Sequence, residues 1–156
     1  MTEFDDPWLV DAMWRATDLT RAYLSQNRAQ VEACLAGLDT GRLERVLAWL
    51  VLDHDEFFDR LGEPSMAVRE IDAAAALSPM ENEFATTAAV RRVSARETGL
   101  AAAVGDLALP EQVHAISVCT VVMALEALGR VRALEEIDAK AVEYERMGYP
   151  RPYPVT

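Results

Sequence analysis

Asp53, His54, Asp55 and Glu56 set one histidine among three carboxylates. Such a run is the raw material of a metal site or of a general acid–base pair, because imidazole and carboxylate both ligate divalent metals and both carry protons. Helix geometry narrows the reading. Successive residues lie about 100° apart round a helix, so Asp53 and Asp55 point to either side of His54 and do not readily share its site. His54 itself falls in an apolar stripe between Leu50 and Phe58. It reads as a histidine at the edge of a core, with a hydrogen-bond partner of its own.

Glu111 and His114 stand three residues apart, which places both on one face of a helix. Carboxylate-bridged di-iron bundles use this spacing, but they need a second such pair and two further glutamates. The chain has two histidines, and the residue three before His54 is Val51, so that constellation is excluded. A mononuclear site remains, combining His54, His114, Glu111 and Asp53 or Asp55, on condition that their two helices pack together. No cofactor is otherwise expected, and a single divalent metal is the alternative. Glu111 also has a plainer role in the first turn after Pro110, where it complements the positive end of the helix dipole.

Nucleophilic chemistry finds little support. There is no Gly-x-Ser-x-Gly elbow, no glycine-rich phosphate loop and no cysteine beside a histidine. Ser117 and Cys119 follow His114, but on a helix they lie about 60° and about 140° round from it. The chain reads as a binder rather than an enzyme.

Arg91, Arg92 and Arg96 form a basic cluster in an acidic chain. Arg92 and Arg96 are one helical turn apart, able to grip a phosphate or an acidic partner, or to pair with the chain's own carboxylates. Both ends of the chain carry aromatic anchors. Trp8 and Trp14 lie about 120° apart round the first helix, so one belongs to the core and the other to an interface. Tyr149, Arg151 and Tyr153 alternate with prolines in a stiff, extended tail, suited to a partner's groove or to strapping across its own bundle or a dimer mate.

Helices must position all of these residues. Strand signals are nearly absent, with no sustained alternation and no Asn-Gly or Asp-Gly hairpin. Asp6 and Pro7 open a helix over 7–25, and a shorter one follows over 28–38. The stripe Leu43, Val46, Leu47, Leu50, Phe57 and Leu61 predicts a third over 41–61, stopped by Gly62. An alanine-rich helix spans 65–77. Ser78 and Glu81 then offer a reciprocal cap for a fifth, running to about 104. Pro110 opens the longest pattern, 110–147, apolar nearly all round until Gly129 marks a kink or break, and one-sided beyond it. The expected architecture is all-α: a single bundle of five to seven helices over 1–148, with a long, largely buried C-terminal helix and an extended tail over 149–156.

The chain of 156 residues is 51% hydrophobic and 26% charged, an ordinary globular balance that excludes collagen-like, low-complexity and largely disordered classes. Lys140 is the only lysine, and with the abundant alanine this fits a GC-rich coding genome. A net charge of −11 disfavours direct nucleic-acid binding and anionic membranes. The acids (Asp11, Asp18, Glu70 and Asp138 among them) are scattered with interspersed arginines, which reads as a solvated surface. Cys34 and Cys119, far apart, read as buried free thiols in a reducing compartment. The acidic start lacks a signal peptide's basic region, and the apolar run 113–125 is short for a bilayer, so a cytoplasmic location is expected.

The expected function is a cytoplasmic helical interaction or regulatory module that binds a protein partner through its first helix or tail and self-associates. The alternative is a helical binding protein or enzyme that holds a metal or small ligand with His54, Glu111 and His114. A third reading, a DNA-mimicking inhibitor, requires the carboxylates to gather on one elongated face.

Overall fold

The computed structural model describes residues 6–154, so the acidic stretch 1–5 and the last two residues of the tail lie outside the described residues. These fold into eight helices without a strand: α1 (Pro7–Leu24), α2 (Arg28–Leu35), α3 (Thr40–Arg60), α4 (Val68–Ala75), α5 (Met80–Ser94), α6 (Leu100–Val104), α7 (Leu109–Leu128) and α8 (Arg130–Arg146). The all-α class stands. The count exceeds the expected five to seven because two of the long helical patterns each break in two.

Local chemistry explains most of the boundaries. Asp6 caps α1 by accepting the Trp8 N–H at 2.9 Å, Asn27 caps α2 through Gln30, and Asp39 caps α3 through Arg42. The pattern 110–147 divides at Gly129, whose φ of +79° lies in the left-handed region that side chains disfavour. The expected long C-terminal helix is therefore a buried α7 followed by a separate, amphipathic α8. The pattern 78–104 divides where Arg96 turns to a φ of +59°, and Gly99, the one glycine within that pattern, stands at the start of α6. The expected cap from Ser78 does not form. Ser78 is fully buried and its hydroxyl donates back to the Ala75 carbonyl, so α5 starts after Pro79 with no side-chain cap.

α7 is the axis, packed against α1, α3, α4, α5, α6 and α8. Val113, Val118, Cys119, Val121 and Val122 are wholly buried along it, each valine worth roughly 1.5–3 kcal/mol of transfer free energy. By length and composition the helix could also cross a membrane, being longer than the apolar run within it, but 67% of its most apolar stretch is buried inside the protein. α8 lies antiparallel to both α1 and α3. Arg21 meets Asp138 and Trp14 meets Tyr144 on one side, while Arg60 meets Glu136 and Lys140 meets Asp53 on the other.

Candidate functional site

Two cavities lie along the contact between α3 and α7. Leu43 and His114 line one, near the start of both helices, and Phe58 and Met123 line the other, further along both. The two helices thus run in the same direction. From His114 to Met123 the helix rises about 13 Å, at 1.5 Å per residue. His54 belongs to the far cavity and His114 to the near one, so the two histidines do not meet.

The far cavity has a volume of about 610 Å³, within the range of small-molecule sites. Phe58, Met66, Val93, Leu100 and Met123 supply apolar wall, and His54, Asp55, Glu63, Arg96 and Thr98 supply polar groups. His54 is 8% exposed and stacks on Phe58 with ring centres 6.0 Å apart. Its Nδ1 lies 3.1 Å from Asp55 Oδ1. Asp55 therefore does share a site with His54, because its rotatable side chain folds back across the short separation. Asp53 goes the opposite way and accepts from Lys140 at 2.6 Å. Burial opposes the charge on Lys140, but Asp53, Tyr144 and Glu56 together outweigh it and hold the ammonium pKa above its ordinary value.

The rim of this cavity is built from two helix ends. Glu63 follows α3 with a φ of +54° and Arg96 follows α5 with a φ of +59°. A residue with a side chain in this region costs roughly 1–2 kcal/mol, which glycine would avoid. Ser94 donates to the Met66 carbonyl at 2.7 Å and fastens the loop after α3 to the end of α5. Neither Glu63 nor Arg96 has an ion-pair partner among the described residues. The other members of the basic cluster are engaged: Arg91 binds Asp72 through two nitrogens at 2.9 and 2.5 Å, and Arg92 lies 4.0 Å from Glu97. The break after α5 also removes Arg96 from the helical face of Arg92.

The near cavity has a volume of about 440 Å³ between α2 and the first turns of α3, α5 and α7. His114 lines it and is 2% exposed. Its Nδ1 lies 2.7 Å from the Tyr23 hydroxyl, and Nε2 has no hydrogen-bond partner among the described residues. Burial pulls the imidazole pKa down to about 4, against a smaller opposing effect of Glu81. The ring is neutral at pH 7. Asn82, 7% exposed, also lines the cavity without a side-chain hydrogen bond, and one turn further along α5 the buried Thr86 hydroxyl is unpaired.

The residues that a mononuclear metal site would need are dispersed. Glu111 turns back to accept the Ala108 N–H at 2.9 Å, closing the first turn of α7. Among the described residues no three His, Cys, Asp or Glu side chains gather so that they could hold a metal ion. The thiols of Cys34 and Cys119 are both pushed up to about 12 by burial and stay protonated.

The anchors at the chain ends meet one another. Trp14 is fully buried and its indole N–H donates to the Tyr149 carbonyl at 2.8 Å. Arg151 donates to both oxygens of Asp18 at 3.0 and 2.9 Å, and the Tyr153 hydroxyl donates to the same carboxylate at 2.5 Å. Arg15 covers the Tyr153 ring and Arg151 covers Trp14. The tail thus straps across α1 of its own bundle. Trp8, 43% exposed, lies under Arg42. Asp11 and Asp18, read from sequence as solvated acids, are instead structural: Asp11 is 4% exposed and accepts from Arg15 and Arg42 at 3.1 Å. Nothing local in the sequence distinguishes them, nor Tyr23, Glu63 and Asn82.

Comparison with family models, curated proteins and solved structures finds no match to this chain.

Proposed function

We propose that this protein binds a small zwitterion of the apolar amino-acid type in the cavity between the ends of α3 and α5. One observation carries the reading: two left-handed residues of opposite charge, Glu63 and Arg96, border the same apolar cavity without pairing with each other. Backbone strain at a cavity rim points towards function. A ligand with a carboxylate and an ammonium group meets both charges, the carboxylate with the Arg96 guanidinium and the ammonium with Glu63. His54, oriented by Asp55 and Phe58, adds a hydrogen bond, and the methionines and phenylalanine enclose the apolar body. Calorimetry with L-tryptophan, tryptamine and indole-3-propionate tests this. The zwitterion binds at least tenfold more tightly than either singly charged analogue, and Arg96→Ala removes that preference. Equal affinity across the three sinks the reading.

A second reading, contact with another protein, rests on Met80 and Phe84. They lie one turn apart on α5 and are 78% and 85% exposed, an apolar pair fit to anchor an interface. The proposed contact is self-association. Sedimentation of Phe84→Glu checks it: the wild type forms dimers that the variant does not, and a wild type monomeric at high concentration removes this reading.

A further inference from the structure

We infer that the near cavity is a second binding site, for a small primary amine with an aromatic or branched apolar body. Three features support this independently of the far cavity. The first is the unpaired polar floor. His114 and Asn82 are each more than nine-tenths buried and line the cavity, and His114 Nε2 and the Asn82 side-chain amide make no hydrogen bond among the described residues. Polar groups that open on a cavity from an otherwise buried side chain are ready to exchange water for a ligand. The second is the wall, where Val31, Leu35, Leu38, Leu43 and the two prolines Pro79 and Pro110 provide apolar enclosure.

The third feature is charge. Glu32 and Glu81 are the charged residues lining the cavity, no basic side chain joins them, and neither has an ion-pair partner among the described residues. The first turns of α3, α5 and α7 bring a positive dipole field that would favour an anion. That field is already answered helix by helix. Asp39 accepts the Arg42 N–H, Glu111 accepts the Ala108 N–H, and Glu83 stands in the first turn of α5. The charges left over at the cavity are negative, and the chain's net −11 acts in the same sense. An ammonium group therefore lies against Glu81 and Glu32, with its apolar body over His114 and its N–H groups within reach of the Asn82 carbonyl and the imidazole.

The test is calorimetry of the full chain with 2-phenylethylamine, 2-phenylethanol and 3-phenylpropionate at pH 7, followed by imidazole nitrogen shifts of His114 on titration. Expected is saturable binding of the amine at least tenfold tighter than the alcohol, with a shift at His114 Nε2. Glu81 is exposed, so Glu81→Gln preserves the fold and lowers amine affinity about tenfold. Ala36→Trp, at the rim, blocks binding, while Glu63→Gln, which removes the carboxylate at the far cavity, does not. The inference is overturned if the alcohol or the carboxylate binds as tightly as the amine, if His114 does not shift, or if Glu63→Gln rather than Glu81→Gln abolishes binding.

Discussion

The seam where α1, α8 and the tail meet contrasts with the side of the bundle where α5 faces α7. In the seam nearly every charge has its counterpart: Asp18 holds Arg151 and Tyr153, Asp11 holds Arg15 and Arg42, Asp138 holds Arg21, and Asp53 holds Lys140. On the other side, polar groups are left unmatched: His114 Nε2, Asn82, the Thr86 hydroxyl, Glu63 and Arg96. Both regions are packed on the same axial helix, and both hold buried polar atoms. The difference is one of degree. The seam pairs its charges and, among the described residues, leaves only Arg42 Nε buried without a partner. The α5 side has the buried Thr86 hydroxyl unpaired and leaves His114 Nε2, Asn82 and the exposed Glu63 and Arg96 for solvent or a ligand to meet.

Removing one charge from each region sharpens this contrast. Asp18→Ala leaves Arg151 and Tyr153 without their acceptor in a half-buried setting, and is expected to lower stability by about 3 kcal/mol. It should also release the tail to proteolysis. The matching deletion across the molecule, Arg96→Ala, is expected to move stability by less than about 0.5 kcal/mol. Urea unfolding of both variants checks the pair, and similar losses would erase the distinction.

The difference in pH dependence between wild type and a His114 variant tests the α5 side. His114 has a folded pKa of about 4 against an ordinary value of 6.5, so the unfolded chain binds its proton more readily. Its stabilising contribution is complete above about pH 6.5 and is lost as pH falls towards 4, by about 3 kcal/mol in all. His114→Gln removes that slope. Denaturation at pH 7, 5.5 and 4 measures it, and parallel losses in wild type and variant would place the acid sensitivity elsewhere.

How far the sequence reveals these regions follows from the range of the interactions in each. The helix start at Asp6 is legible because a cap acts within three residues, and the starts near 28 and 41 follow from the apolar pattern. The break at Gly129 is legible because glycine tolerates the left-handed region. The matching break after α5 is legible only as a weakness at Gly99, since Arg96, which takes the left-handed turn, carries no local mark. The same limit applies to the site. That His54 sits at the core edge follows from its stripe, but that Asp55 turns to it and Asp53 away, towards Lys140, depends on which helix packs alongside.

The all-helical class, most helix boundaries, the buried character of 113–125 and of both cysteines were therefore settled by composition, capping and period, all local properties of the chain. Tertiary packing alone decided that the two histidines occupy separate cavities and that the tail lies on α1. It also decided that Asp18, indistinguishable in sequence from its acidic neighbours, holds residues 133 and 135 positions away. Periodicity states which face of a helix is buried. It does not state against what, and the chemistry of this protein resides in that second question.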